Sequence, residues 1–152
     1  MSAANSTDNP PAGVFRRLGA MVYDALAMLA LLYFASMPLV ALQGGDAIAP
    51  GNGFYTAYLL VVAYAYFGLC WRLGGRTLGQ HAWGLQVRSD SGKRMTSRES
   101  ILRFCGGLLS LCAGGLGFVW PWLDKRQRSW PDLISNTRLV LMPRSRAPAQ
   151  QD

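Results

Sequence analysis

The chain has 152 residues, enough for one small domain, and carries a formal net charge of +7. Hydrophobic residues make up 51% and charged residues only 15%, which is lean in charge for a soluble domain. All 15 Lys and Arg lie at 16–17, 72–103 and 125–146, so the basic charge marks loops beside apolar spans and argues against a nucleic-acid surface.

Residues 1–13, MSAANSTDNPPAG, are polar and rich in small residues and Pro, and read as a disordered tail. An apolar run of twenty-five residues follows from Leu18 to Leu42, with Arg16 and Arg17 just before it. At ~1.5 Å rise per residue it exceeds the ~30 Å hydrocarbon core of a bilayer. It is too long for the apolar part of a signal peptide and carries Asp24, so it reads as a retained membrane span. Pro38 is expected to kink or end it. Residues 43–53 form a Gly/Pro loop whose only charge is Asp46. The second span is Phe54 to Trp71, closed by Arg72, within a helix of about 54–73. Tyr55, Tyr58 and Trp71 resemble interfacial belt residues. Tyr64 and Tyr66 lie deeper, where their hydroxyls need partners and helix packing is the favoured role.

Residues 72–100 are polar and basic. Gly74 and Gly75 turn the chain out of the second span, Trp83–Arg88 reads as a strand, and Ser89–Gly92 is a turn signal. Lys93–Thr96 is expected to return as a second strand, with Ser97 as the cap of the next helix. The third apolar segment, Ile101 to Leu123, contains Gly106, Gly107, Gly114, Gly115 and Gly117. A full crossing would leave Lys125, Arg126, Arg128, Arg138, Arg144 and Arg146 outside, against the positive-inside tendency. A re-entrant hairpin broken near Ala113-Gly114-Gly115 is therefore preferred to a third span. Arg138–Met142 reads as a strand that pairs with Gly84–Arg88, and residues 143–152 read as disordered. The expected fold is thus an all-α membrane protein over residues 14–142. It has two transmembrane helices, a third Gly-rich membrane segment (re-entrant hairpin or third span) and a short cytoplasmic β element.

A carboxylate inside an apolar span is disfavoured by roughly 2.5–3.5 kcal/mol, which makes Asp24 the leading site candidate. Arg17, seven residues earlier, shares its helix face but sits about 10 Å away along the axis. Each therefore needs another partner. Asp124 and Asp132 are the carboxylates available to Arg17 if the tail returns, and Tyr23 is a hydrogen-bond donor for Asp24. Two readings stand: a polar network that binds an ion or proton, and a clamp fixing the first helix to the cytoplasmic cap, with the clamp favoured on the residues alone. Cys70, Cys105 and Cys112 read as reduced, buried thiols. The sequence has no phosphate-binding loop, metal-ligand cluster or nucleophile elbow, and Ser110 has no base nearby. No catalytic residue, cofactor or metal is expected, and the chain does not read as an enzyme.

The segments FRRLGAMVYD, GGRTLGQHAWGLQV and DKRQRSWPDLISNT resemble the three signature blocks of the RDD family of membrane proteins, in order and across residues 14–142. The family is named for one arginine and two aspartates, and the resemblance assigns these to Arg17, Asp24 and Asp132, the last ahead of Thr137. The middle block supplies Thr77, Gly79, Gly84, Leu85 and Val87. Two positions depart from the pattern: Pro131 stands where His often precedes the second aspartate, and Gln80 and His81 follow Gly79 where a basic residue is common. His81, the lone histidine, is expected at the polar interface. The resemblance implies a bacterial multi-pass membrane protein, expected in the inner membrane, and the uncharged first loop with the six cations of the tail places both termini on the cytoplasmic side as an expectation. It also implies a role in transport of an unidentified ion or small ligand, with a scaffold or assembly role as the alternative. The expected partners are the lipid bilayer and either further copies of the chain or another membrane protein, not nucleic acid.

Overall fold

The computed structural model describes residues 12–91 and 95–142. Helix α1, Val14–Leu42, has 29 residues and is therefore about 44 Å long. It begins four residues before the apolar run, which brings Arg16 and Arg17 into its first turn. Pro38 does not end it. The stop comes at Gly44 and Gly45, with φ of 74° and 94°, whose N–H groups donate to the carbonyls of Ala41 and Val40. That pair of bonds is a Schellman closure, and it requires a residue free to take positive φ.

Helix α2, Gly53–Leu69, is capped by the Asn52 side chain, which accepts from the Tyr55 N–H. It runs on into a π-helical turn, Cys70–Gly74, to give 22 residues long and apolar enough to cross a membrane. Near the connecting loop the Ser36 and Tyr55 hydroxyls bond at 2.7 Å and Tyr58 donates to the Ala35 carbonyl at 3.0 Å.

The middle region holds a short helix that the sequence reading did not expect. Helix α3, Leu78–Ala82, forms because Thr77 and Gln80 make a capping box: the Thr77 N–H donates to the Gln80 side chain, and the Gln80 N–H to the Thr77 hydroxyl. It moves the strand start to Leu85, and β1 is Leu85–Ser89. Its partner β2, Thr137–Leu141, pairs antiparallel with Leu85 opposite Leu141 and Ser89 opposite Thr137. Of the expected return strand, Lys93 and Arg94 lie outside the described residues, while Met95 and Thr96 are not in a strand. The cap of the next helix is Thr96 rather than Ser97, because Glu99 completes a capping box with Thr96.

Helix α4, Ser97–Cys112, is followed by Gly114 and Gly115 at φ of 68° and 87°. Helix α5, Leu116–Val119, and a 3₁₀ turn, Trp120–Trp122, then leave at 110° to it. Helix α6, Trp130–Ser135, packs back on α4, because Gly106 lies against Pro131 and Gly117 against Ser110 and Trp130. The segment from Ser97 to Trp122 is flanked by the two paired strands. The bend is the geometry of a broken span or a re-entrant loop, and the pairing of the strands before and after it brings the two ends of the segment back together.

The core sits at the strand end of the molecule, not between the spans. Ala12, Ala20, Trp71, Leu85, Val87, Met95 and Leu139 form it, with Phe67, Phe104 and Leu141 packed against them. None of the most apolar stretch of α1 is buried, and only 11% of that of α2. Phe15, Leu26, Leu29, Tyr33 and Phe34 of α1 are all exposed, as expected for a helix solvated by lipid. Cys105 and Cys112 are exposed too, which corrects their reading as buried thiols. The strand register gives a direct test. With the native cysteines replaced, a Val87→Cys/Leu139→Cys pair should form a disulfide on mild oxidation, since opposed Cα atoms fall within bridging distance. The pair Val87→Cys/Val140→Cys, one residue out of register, should not.

Candidate functional site

Asp132 is the third helical residue of α6, and its carboxylate accepts from the Ser129 N–H at 3.0 Å to close a capping box. The same carboxylate receives two guanidiniums. Arg17 Nη1 donates to Oδ2 at 2.7 Å and Arg103 Nη1 to Oδ1 at 2.6 Å, with the Asp132 side chain wholly buried. Arg17 also donates through Nε to the Ala12 carbonyl and through Nη2 to those of Gln127 and Leu139. Arg103 Nη1 donates further to the Thr137 hydroxyl at 2.6 Å, and Thr137 bonds the Ser135 hydroxyl in turn. Burial opposes ionisation of Asp132, but the Arg103 and Arg17 charges outweigh it and hold the carboxyl below the usual carboxylate range. One carboxylate thus ties the start of α1, the middle of α4 and the start of α6.

Asp24 belongs to a second centre. Its Oδ1 accepts from the Gly79 N–H at 2.8 Å and its Oδ2 from the Thr77 hydroxyl at 2.5 Å. The cap and first turn of α3 therefore serve the carboxylate as a donor cradle. Gly79 is needed there because a Cβ at that position would collide with the Ala20 carbonyl of α1. Gly19 admits the Trp83 indole against α1 in the same way. Tyr66 of α2 faces the same carboxylate, but its buried hydroxyl makes no hydrogen bond. Among the described residues, no Lys, Arg or His forms an ion pair with Asp24.

The structure therefore brings Arg17 and Asp132 together with Thr137 near them, and groups Asp24 with Thr77 and Gly79. The expectation of a single network joining Arg17, Asp24 and Asp132 is corrected to two centres. Tyr23 points away, 55% exposed, and does not donate to Asp24. Asp124 pairs with Arg128 at 3.2 Å, and the Arg128 N–H and guanidinium lower its carboxyl, so it is not a partner of Arg17. His81 is exposed on α3. The sequence reading missed Arg103, although a lone arginine in ILRFCGGLLSLC carries the same desolvation signal as Asp24. It also missed Gln80 and Ser129, whose signals were Thr-x-x-Gln and Ser-x-x-Asp capping patterns.

Two apolar spans, a bent Gly-rich hairpin and a polar cap with buried ionic groups define an integral membrane protein. The RDD family model matches residues 11–136, most of the chain, and the protein belongs to that family. No curated protein and no solved structure gives a significant match.

Two outcomes follow for detergent-solubilised protein. Asp132→Asn leaves two buried guanidiniums short of a counter-charge and should lower unfolding stability by about 3–5 kcal/mol, read from denaturant titration. Because the folded carboxyl titrates below its ordinary value, its contribution is fully present above the unfolded-state pKa. It is lost only as pH falls through the depressed folded value, so wild-type stability should hold from neutral pH down to the ordinary carboxylate range and drop below it. The Asp132→Asn variant should lack that acid-dependent component.

Proposed function

We propose that this RDD-family protein takes part in moving a proton or small cation, with Asp24 as the exchanging group and the Arg17–Asp132–Arg103 cluster as a fixed clamp. The observation that carries this reading is the contrast between the two carboxylates. Asp132 is neutralised by two guanidiniums, whereas Asp24, only 8% exposed, has two hydrogen bonds and no cationic partner among the described residues. A buried carboxylate without a counter-cation favours arrival of a positive charge. The Thr77 and Tyr66 oxygens beside it are hard donors suited to a proton or an alkali cation.

Two spans and a re-entrant segment are few for a complete path. Assembly with further copies or with another membrane protein would complete the path, and the apolar surface of α1 left unburied by its own chain is free to take part in it. The Lys and Arg distribution supports a cytoplasmic location for the cap, with the 43–53 loop on the far side of a bacterial inner membrane. A scaffold role is the second reading. It is favoured by the cradle itself, since Thr77 and Gly79 already satisfy both oxygens of Asp24 and tie α1 to α3.

Asp24→Asn separates the two readings because it keeps the shape and removes the charge. In reconstituted vesicles under an imposed pH or alkali-cation gradient, the variant should accumulate as folded protein yet lose flux. Wild-type flux together with a reduced folded yield would instead establish the scaffold role. Orientation is read separately: a cysteine at Asp46 should react with an impermeant thiol reagent in intact cells, and one at exposed Arg126 should not.

A further inference from the structure

The clamp carries more positive than negative charge. Arg17 and Arg103 share the single carboxylate of Asp132, so the buried cluster has an excess of one positive charge. Arg17 spreads its donors over three carbonyls, but both hydrogen bonds of Arg103 leave from Nη1. Among the described residues, Arg103 Nε and Nη2 have no acceptor. Glu99, one helical turn earlier, is the obvious counter-charge, yet it is turned to Ser89 and Thr96.

The groups around that guanidinium are also short of acceptors. Arg103 lies over the ring of Trp71, 5.4 Å from its centroid, and Trp71 is in the π-helical turn that follows α2. Trp71 is 8% exposed, and its indole N–H is buried without a partner. Ser100, on the same face of α4 three residues before Arg103, is fully buried, and its hydroxyl has no partner either. It lies against Gly68, three residues before Trp71, which puts both unpartnered groups on the α2–α4 contact. Helical serines usually return the hydroxyl proton to the carbonyl four residues back, and Ser36, Ser110 and Ser135 do so here. Ser100 does not. Nothing among these groups is an obligate acceptor: a guanidinium edge and an indole N–H only donate, and a serine hydroxyl can donate.

We propose that Arg103, Trp71 and Ser100 form a binding site for a phosphate-bearing anion where α2 leaves the membrane. The anion meets the unoccupied Nε and Nη2 edge of Arg103, whose planar fork matches two phosphate oxygens. The Trp71 N–H and, after one rotamer step, the Ser100 hydroxyl supply the remaining donors. One negative charge balances the cluster. Two sources present this chemistry, the headgroup of an anionic phospholipid and free phosphate. The end of a span places the site at the headgroup level that tryptophans favour.

The test uses the full chain, with unfolding followed by light scattering or by gel shift. Its three settings are vesicles of pure phosphatidylcholine, vesicles with phosphatidylglycerol in equal parts, and pure phosphatidylcholine with added inorganic phosphate. A raised midpoint with phosphatidylglycerol identifies the lipid source, and one with inorganic phosphate the soluble source; either supports the site. Trp71→Phe keeps an aromatic ring under Arg103 and against Phe67 and removes the N–H, and Ser100→Ala removes a hydroxyl that bonds nothing in the structure. Both variants should fold, and each should weaken the anion's apparent affinity by about tenfold, the size of one hydrogen bond to a charged acceptor. No midpoint shift from either anion overturns the proposal. So does a shift that persists undiminished in both variants, which would show general electrostatic binding elsewhere on the basic surface.

Discussion

Asp132 holds the cap together by accepting two guanidiniums from helices far apart in sequence. Arg17 is 115 residues away and Arg103 is 29. Such a cluster is weak evidence for net stability, since desolvating three charged groups offsets much of their attraction. Its stronger effect is on register. A guanidinium displaced by one helical turn would leave a buried charge unpaired, so few alternative packings of α1, α4 and α6 are tolerable. The strand pair follows from this arrangement. Arg17 and Arg103 also donate to Leu139 and Thr137 on β2, and the Ala12 N–H donates to the Leu139 carbonyl, so the clamp holds β2 by the edge that faces away from β1 and leaves the other edge for pairing.

The two aspartates show how one residue type acquires different chemistry from its surroundings. Asp132 sits at a helix N-terminus between two cations, and these charges outweigh the burial that opposes its ionised form. Asp24 sits on the side of a membrane helix and receives donors from a neutral turn. That turn is short and tight because Gly79 lets the α3 backbone touch the Ala20 carbonyl. Thr77 caps α3 and bonds Asp24 with the same hydroxyl, so helix capping and carboxylate binding are one structural act.

Much of this architecture was legible because it is written in composition over long windows. The spans follow from apolar length and the break in the third segment from Gly114 and Gly115. The β pair was legible from two short apolar alternations that only a returning tail could join. What stayed hidden was partner choice. Helical spacing put Arg17 and Asp24 on one face, but nothing local says that Arg17 turns to Asp132 while Asp24 turns to α3. Helix α3 was hidden for a different reason. Five residues are too few to form a helix on propensity alone, Gly79 lowers it further, and the helix exists because its capping box and its packing on α1 supply what is missing. Arg103 is legible by the same argument as Asp24, since it is the lone charge in the apolar segment from Ile101 to Leu123.

The placement of the core bears on how Asp24 could change partners. The spans are tied to each other near the 43–53 loop by Tyr55 and Tyr58, and the base of α1 rests on α3 and the clamp. Between those ties the apolar stretch of α1 is left unburied by its own chain, so nothing in the described residues fixes its register there. Asp24 lies where the held part of α1 meets the free part. Thr77 and Gly79 belong to one capped turn, so a slide or rotation of α1 against α3 weakens both hydrogen bonds to Asp24 together instead of one at a time. The carboxylate would then pass from two donors to none over a small motion. Under the proposed transport role such a step would let Asp24 alternately hold and release a positive charge, with no movement of the Arg17–Asp132–Arg103 clamp.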